Sequence, residues 1–241
     1  MPVFIFVQSA LESAAACVRF AIQFYIVTTV AALILIGSAH ADDADDSLRA
    51  YAVNIVRHPP ESWTGYGVYL GNGFVITAAH VVGIAAITKP SVLIAGLDLP
   101  TTVIKEGTLE QVDLTLLSVD KDSLPISVRS RHMSLCEMSP RPGEPVIVAV
   151  PEGTARSQIM SPELLPPSLR TNFGTVISDV ATTGNSGSGV FDAKHKCLIG
   201  IMSRKIQVRA HNDPGGSLKD LAKYFVPASI IRTFIPAESR F

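Results

Sequence analysis

The stretch TTGNSGSGVFD, residues 182–192, decides the fold of this chain. Its centre, residues 184–189, contains three glycines and two serines. Glycine loses much backbone entropy in a helix or strand and adds no side chain to pack, so this segment predicts a turn. Val190 and Phe191 follow directly, which indicates that the turn leads into a strand. Such a turn can present one hydroxyl and several backbone N–H groups to one point, as acyl transfer requires. A flexible polar loop is the alternative interpretation of the stretch taken alone.

The size and charge of the chain restrict its class. Its 241 residues allow one or two compact domains, and 47% of them are hydrophobic. The formal net charge is -1, so no basic excess indicates binding to nucleic acid or to an anionic membrane. We therefore expect no nucleic-acid partner.

The N-terminal region has the pattern of a targeting segment. Residues 20–37 are almost wholly apolar, Ala39 and Ala41 form an A-x-A cleavage pattern, and an acidic run begins at Asp42. We predict a signal peptide at residues 1–41, with an atypical N-terminal extension that a start codon set too early would explain. The mature protein is then exported, with no stable membrane association. An uncleaved anchor is the alternative, since about 18 apolar residues can just span a bilayer.

Two cysteines remain in the predicted mature chain. Cys17 lies in the targeting segment, which leaves Cys136 and Cys197 as a pair. An even count in an oxidising compartment favours a disulfide between them. Two separate buried thiols are the alternative.

Short strand-like runs dominate the rest of the chain. Asn72 and Gly73 separate two such runs, residues 67–70 and 74–77, and this dipeptide is a strong hairpin signal. Further runs occur at residues 48–56, 92–95, 102–104, 112–119, 146–150, 174–180, 197–203, 206–208 and 224–226. A single short helix is predicted after Pro227, while residues 161–167 are predicted to be a loop.

This organisation predicts an all-β barrel or sandwich with one terminal helix. Because a proline-rich segment separates two groups of strands, we favour two barrels. The predicted boundaries, all within a domain at residues 42–241, are a first barrel at about 48–122, a crossover at about 123–144, a second barrel at about 145–225 and a helix at about 228–236. We also expect no peptide-binding domain after the second barrel.

Three motifs contain residues suited to nucleophilic catalysis: TAAHVV around His80, VDLTLL around Asp113 and TTGNSGSGVF around Ser186. Taken singly, they could be a core histidine, a turn aspartate and a loop hydroxyl. Together, in the order His, Asp, Ser, they indicate a triad in which a base activates the serine.

With these motifs the chain resembles the chymotrypsin-fold, or trypsin-like, serine peptidases, and especially their bacterial, exported, non-zymogen members without a PDZ domain. In that family the histidine follows T-A-A, as His80 does, and the aspartate heads an apolar strand, as Asp113 does. The serine lies in G-[DN]-S-G, as Ser186 does. The resemblance implies two six-stranded antiparallel Greek-key barrels with the active site in the cleft between them. It also implies that the exported protein is periplasmic or secreted in a bacterium.

The resemblance also implies roles for these residues and the class of substrate. Ser186 is expected to be the nucleophile, His80 the general base and then acid, and Asp113 the residue that orients the imidazole. The backbone N–H groups of Gly184 and Ser186 are expected to form the oxyanion hole. The implied substrate is a protein or peptide, and no cofactor or metal is expected.

Two departures from the family pattern affect the serine motif. Ser188 and Gly189 stand where the family usually has Gly-Pro, which predicts a looser entry into the strand. Asn185 replaces the aspartate that pairs with a newly cut N-terminus in zymogen-activated relatives. Because asparagine cannot form that ion pair, we expect a site that is formed constitutively or ordered by substrate.

By the same family pattern, the substrate pocket would be lined by five uncharged residues: Val180, Ala181, Thr182, Met202 and Ser203. They favour a small or medium apolar residue before the scissile bond. The basic run at residues 204–209 is either a solvated strand face or a preference for acidic substrate residues.

Two other functions are alternatives to a peptidase. An esterase or lipase would need G-x-S-x-G and the order Ser, acid, His, but Ser188 occupies the place of the last glycine. The other rival is a non-catalytic or weakly active binding module on the same fold, since fold does not fix function.

Overall fold

The computed structural model describes residues 45–58, 65–178, 186–209 and 218–237. The chain divides into two units, residues 1–44 and 45–241, and all the described residues belong to the second. The predicted signal peptide therefore lies outside the described residues. Among the residues that are described, no helix is long and apolar enough to cross a membrane.

The first half of the described unit is an antiparallel sheet in the order β5-β4-β1-β2-β3-β7-β6. Its strands are β1 (Ala52–Val56), β2 (Gly65–Gly71), β3 (Phe74–Thr77), β4 (Ser91–Ile94), β5 (Leu97–Pro100), β6 (Thr102–Glu106) and β7 (Thr115–Ser118). The predicted hairpin is confirmed, because β2 and β3 are joined at Asn72 and Gly73. These two residues have φ values of 52° and 84°, as a tight hairpin turn requires.

One bent segment connects the two edges of this sheet. The edge strands β5 and β6 are separated in sequence only by Thr101. β5 pairs with β4 at one edge, and β6 pairs with β7 at the other. Because the two edge strands are consecutive, the sheet curls into the open barrel that forms the first half of the fold.

The second half is a closed barrel in the order β10-β13-β12-β11-β8-β9. Its strands are β8 (Pro145–Val150), β9 (Gly153–Met160), β10 (Val176–Ile177), β11 (Gly189–Asp192), β12 (Leu198–Arg209) and β13 (Leu218–Pro227). The α-helices that lie wholly within the described residues are short: α1 (Ala79–Val82), α2 (Ala85–Thr88), α3 (Ile126–Arg129), α4 (Pro167–Arg170) and the C-terminal α5 (Ala228–Phe234). The predicted all-β, two-barrel fold with a short C-terminal helix is confirmed.

One of the hydrophobic clusters spans the two halves. Leu70 and Leu116 of the first sheet cluster with Phe191 and Ile201 of the second barrel, and all four are fully buried. Ile231 of α5 belongs to the same cluster. Burial of this continuous apolar surface holds the halves together and fixes the cleft at their junction.

The start of the described chain differs from the predicted strand at residues 48–56. Ser47–Tyr51 is a 3-10 helix, and the strand begins only at Ala52. The cause is tertiary. The buried Asp45 carboxylate accepts hydrogen bonds from Arg156 at 2.6 Å and Lys196 at 2.5 Å on the second barrel. The chain must therefore turn before it can join the first sheet.

The segment predicted as a loop at residues 161–167 is also more ordered than expected. Pro162–Leu164 is a 3-10 helix and Pro167–Arg170 is one turn of α-helix. In each of them a proline occupies one of the first two helical positions, where its missing N–H has no intrahelical partner to lose.

Candidate active site

His80 lies on α1, a single helical turn that directly follows β3. The small residues Ala78 and Ala79 are buried, so the backbone enters the helix close to the core. Gly83 ends the helix with a φ of 70°, and its N–H donates to the carbonyl of Ala79. The His80 side chain is 30% exposed, which places the ring at the surface of the cleft.

Asp113 holds His80 at two points. One carboxylate oxygen of Asp113 lies 2.8 Å from His80 Nδ1. The other accepts a hydrogen bond of 3.0 Å from the His80 backbone N–H. An Nδ1–H···O bond fixes the tautomer that leaves Nε2 free to accept a proton.

Ser203 gives the buried Asp113 carboxylate a third donor. Its hydroxyl donates at 2.5 Å to the same oxygen that faces His80 Nδ1. Burial by itself raises the pKa of Asp113, but hydrogen bonds from His80 and Ser203 outweigh burial and hold the pKa below its ordinary value of 3.8. Asp113 is therefore a carboxylate at neutral pH.

Ser186 is fixed by backbone contacts with both halves of the fold. Its carbonyl oxygen accepts a 3.0 Å hydrogen bond from the N–H of Tyr66 on β2. The next residue, Gly187, donates at 2.8 Å to the carbonyl of Met202 on β12. The Ser186 hydroxyl donates at 3.1 Å to the carbonyl oxygen of Ser203. Over the residues that the structure describes, no hydrogen bond joins Ser186 Oγ to His80.

The residue after the serine can only be glycine. Gly187 has a φ of 87°, and a Cβ atom there would lie 1.8 Å from the carbonyl oxygen of Tyr66 and 2.5 Å from Thr77 Oγ1. The Thr77 hydroxyl itself donates to that Tyr66 carbonyl at 2.5 Å. The glycine thus allows the serine turn to touch the first sheet directly.

Gly189, which stands where the family usually has proline, has a packing reason. A Cβ on Gly189 would lie 2.5 Å and 2.6 Å from two ring atoms of the buried Phe191, and 2.8 Å from Val68 Cγ2. Proline at this position would meet the same atoms, so the large Phe191 ring and Gly189 fit together. The predicted loose strand entry is not what the structure shows, because Gly189 is buried and paired to both β8 and β12.

The remaining predicted site residues fall into two groups. Four of them, Val180, Ala181, Thr182 and Gly184, lie outside the described residues, as does Asn185. Met202 and Ser203, predicted to line the substrate pocket, are 1% and 0% exposed. The Met202 side chain packs in the core of the second barrel and that of Ser203 faces Asp113, so neither presents its side chain to a substrate.

Cys136 and Cys197 form the predicted disulfide, which closes a separation of 61 residues. It lies beside a bridge between Leu135 and Leu198, and the Cys136 carbonyl accepts a 2.9 Å hydrogen bond from Arg232 of α5. The disulfide therefore ties the crossover segment to the strand that carries Ser203.

A cavity of about 450 Å³ borders Asp113. Arg204 and Phe173 contribute to its wall, and the guanidinium carbon of Arg204 lies 5.8 Å from the Phe173 ring centre. Arg204 also donates to the carbonyl of Leu109 at 2.6 Å. The next basic residue, Lys205, forms a 2.7 Å ion pair with Asp220, so the basic run supplies contacts within the protein.

The sequence analysis did not predict the roles of two residues, one of which contacts Asp113 and the other the backbone of the helix that carries His80. Ser203 was assigned to the pocket wall, although its hydroxyl bonds to Asp113. Arg57, which contacts the backbone of α1, was not singled out. No sequence motif marks either contact, because the partners are 90 and 24 residues apart. The described residues contain no cluster of three potential metal ligands.

Comparison with known proteins assigns the same region to one family. The family model of the trypsin-like peptidase domain matches residues 65–201, a span that contains His80, Asp113 and Ser186. No curated protein sequence matches the chain significantly.

Several solved structures share the fold. The active form of Rv3671c protease from M. tuberculosis is 17% identical with a TM-score of 0.54, over 78% of this chain and 80% of that one. The serine endoprotease from Yersinia pestis is 19% identical with a TM-score of 0.54, over 77% of this chain and 61% of that one. Kallikrein-related peptidase 10 is 20% identical with a TM-score of 0.55, over 77% and 93%. At these identities the likeness concerns the fold.

Proposed function

This chain belongs to the family of trypsin-like peptidase domains and has the fold of chymotrypsin-type serine proteases, and from that premise we propose that it is a serine endopeptidase. The observation that carries the proposal is the set of hydrogen bonds around Asp113 and Ser203. Asp113 binds His80, Ser203 binds Asp113, and the Ser203 carbonyl accepts the hydroxyl of Ser186. These contacts bring together the three motif residues from both halves of the fold.

In the proposed reaction, Ser186 Oγ attacks the carbonyl carbon of the scissile peptide bond while His80 Nε2 takes the hydroxyl proton. Asp113, ionised and hydrogen-bonded to Nδ1, stabilises the imidazolium that forms. The carbon–nitrogen bond then breaks, and His80 gives the proton to the leaving amine. Water, deprotonated by His80, hydrolyses the acyl-enzyme and regenerates Ser186.

The reaction requires the Ser186 hydroxyl to move from its resting partner to the histidine. The backbone contacts of residues 186 and 187 do not involve the Ser186 side chain, so its hydroxyl can leave the Ser203 carbonyl while those contacts remain. Hydrogen bonds between nucleophile and base are often long in substrate-free enzymes and tighten when substrate binds. The N–H groups of Gly184 and Ser186 are proposed as the donors to the developing oxyanion.

Labelling with a fluorophosphonate probe tests this function. We expect the folded mature protein to be labelled once, at Ser186, and the Ser186→Ala variant to remain unlabelled. Ser188→Ala is the matched control, because the Ser188 hydroxyl is fully buried and cannot be the site of labelling. Removal of Ser186 or His80 is expected to lower kcat by about 10⁶-fold. A folded wild-type protein that neither reacts nor cleaves peptides would instead support a non-catalytic binding module.

The proposed specificity is for a small or medium apolar residue before the scissile bond. The family pattern supports it, since the three other positions assigned to the pocket, Val180, Ala181 and Thr182, are small and uncharged. Cleavage of a randomised peptide library, read by mass spectrometry, tests it. Dominant cleavage after Arg or Lys would contradict this specificity.

We further propose that the enzyme is exported, with removal of residues 1–41. The A-x-A pattern and the acidic switch at Asp42 support this, and the Cys136–Cys197 disulfide is consistent with an oxidising compartment. Mass spectrometry of the extracytoplasmic protein is expected to give an N-terminus at Asp42. Recovery of the full chain in the membrane fraction would support the uncleaved anchor.

A further inference from the structure

Arg57, which follows β1, holds the end of the helix that carries His80. Its Nε donates at 2.6 Å to the carbonyl oxygen of Val81. A second guanidinium nitrogen donates to the carbonyl oxygen of His80. The guanidinium therefore spans two successive carbonyls of α1, one of which belongs to the histidine itself.

These carbonyls have a physical need for such a partner. α1 contains only four residues, so its last carbonyls have no intrahelical donor. A cation at a helix C-terminus is favourable, and the planar fork of an arginine suits two adjacent acceptors better than a lysine does.

The consequence is that His80 is held on both sides of its α-carbon. Asp113 fixes its N–H and its ring nitrogen, while Arg57 fixes its carbonyl. We propose that Arg57 is a positioning residue, which sets the place of the His80 imidazole relative to Ser186 through the backbone of α1. The inference rests on the proposed function in one respect, namely that His80 is the general base.

Loss of Arg57 removes one of the two anchors of a single-turn helix. The imidazole then samples positions in which the Nδ1–Asp113 bond is lengthened and Nε2 is displaced from the nucleophile. A displacement of about 1 Å in a catalytic group costs on the order of 10²-fold in rate. A purely stabilising role would instead lower the melting temperature and leave the chemistry of the folded enzyme unchanged.

The test compares Arg57→Ala and Arg57→Lys with a matched control, Arg49→Ala. Arg49 also donates through two guanidinium nitrogens to a backbone carbonyl, that of Pro151, at 3.1 and 2.8 Å. Its loss removes the same kind of contact without touching α1. Circular dichroism establishes that each variant is folded at the assay temperature.

The first measurement does not depend on catalysis. In protein labelled with ¹⁵N-histidine, the Nδ1–H proton of His80 gives a downfield resonance, which is assigned by its loss in His80→Gln. We expect this resonance to broaden or move upfield in Arg57→Ala and to be unchanged in Arg49→Ala. An unchanged resonance in folded Arg57→Ala would overturn the proposal, even if the wild-type protein proved to hydrolyse nothing.

The second measurement is steady-state peptide hydrolysis. We expect kcat to fall by about 10- to 100-fold in Arg57→Ala, with KM little changed, and to recover partly on addition of guanidinium ion. Arg57→Lys is expected to lie between Arg57→Ala and wild type, and it provides the test if Arg57→Ala does not fold. Equal losses of kcat in Arg57→Ala and Arg49→Ala would contradict a positioning role.

Discussion

The hydroxyl of Ser203 donates a 2.5 Å hydrogen bond to the carboxylate of Asp113, across the junction of the two halves of the fold. Ser203 lies on β12 of the closed barrel, whereas Asp113 precedes β7 of the first sheet. Both side chains are buried. The backbone carbonyl of Ser203 also accepts the Ser186 hydroxyl, so this one residue contacts two members of the proposed triad.

Replacement of Ser203 by alanine is expected to raise the pKa of Asp113, because burial remains while one donor is lost. A carboxyl whose folded pKa is depressed stabilises the protein above its unfolded pKa, and this stabilisation is lost as pH falls through the folded pKa. In Ser203→Ala the pH-dependent loss is therefore smaller and is complete at a higher pH than in the wild-type protein. We also expect the free energy of unfolding at neutral pH to fall by about 1–3 kcal/mol, the cost of a lost hydrogen bond to a buried charge.

Urea unfolding between pH 3 and 8 measures both effects of the Ser203 substitution. The control is the same substitution in an Asp113→Asn background, where residue 113 has no carboxyl to titrate. An equal shift of the acid unfolding midpoint in both backgrounds would show that the Ser203–Asp113 bond is not its cause.

Replacement of Thr77 by valine tests the contact between the first sheet and the serine turn. The Thr77 hydroxyl donates at 2.5 Å to the Tyr66 carbonyl, and the Tyr66 N–H donates to the Ser186 carbonyl. Valine keeps the shape but leaves the Tyr66 carbonyl without this donor, at a cost of about 1–3 kcal/mol in unfolding free energy. We expect kcat to fall as well, since the turn is displaced.

The control for Thr77 is Thr101→Val. The Thr101 hydroxyl donates at 2.6 Å to the Pro90 carbonyl, in the bend between β5 and β6. The Thr101→Val substitution should lower the free energy of unfolding without lowering kcat. Equal kcat values for folded Thr77→Val and wild type would contradict a role for Thr77 at the turn.

Much of this arrangement could be predicted from sequence, because it rests on local rules. Asn72 and Gly73 identify a hairpin through their backbone preferences, and alternating apolar runs identify the strands. The T-A-A sequence before His80 and the glycine after Ser186 are short motifs that can be recognised in the sequence, and the structure shows tight packing at both. The pairing of Cys136 with Cys197 was predicted because they are the two cysteines left in the mature chain.

What could not be predicted depends on contacts between distant segments. Asp45 and Lys196 form an ion pair, although they are 151 residues apart in the sequence. Because of this contact, the predicted start of β1 is a 3-10 helix instead. The role of Ser203 depends on which way its side chain points from β12, which no local pattern determines. For the same reason, the assignment of Met202 to the substrate pocket did not predict that its side chain is buried.

Replacement of Ser188 by alanine is expected to stabilise the protein. Ser188 is fully buried, and its hydroxyl has no hydrogen-bond partner within the described part of the chain. Alanine removes a buried polar group whose desolvation costs about 1–3 kcal/mol. Thermal unfolding is expected to show a higher melting temperature.

Ser91→Ala provides the comparison for Ser188→Ala, because the buried Ser91 hydroxyl lies 3.0 Å from His58 Nε2. That substitution is expected to lower the melting temperature. A lower melting temperature for Ser188→Ala as well would indicate that the Ser188 hydroxyl has a partner in solution.

Replacement of Gly189 by alanine is expected to destabilise the protein by about 1–3 kcal/mol, the usual cost of overpacking a core. The added Cβ would lie 2.5 Å from the Phe191 ring, which is fully buried. The companion variant Gly189→Ala/Phe191→Leu removes the ring that causes the clash. In urea unfolding, the double variant should lose less stability than the sum of the two single variants, and strict additivity would contradict the clash.

Removal of the disulfide by the double substitution Cys136→Ala/Cys197→Ala is expected to lower the free energy of unfolding substantially. The bond closes a separation of 61 residues, for which the chain-entropy account gives about 4 kcal/mol. Because it joins the crossover segment to β12, the loss also loosens the strand that presents Ser203 to Asp113. Urea unfolding of the wild-type protein with and without dithiothreitol measures the effect, and the double variant is the control that should not respond to the reductant. A wild-type unfolding midpoint unchanged by full reduction would contradict a stabilising disulfide.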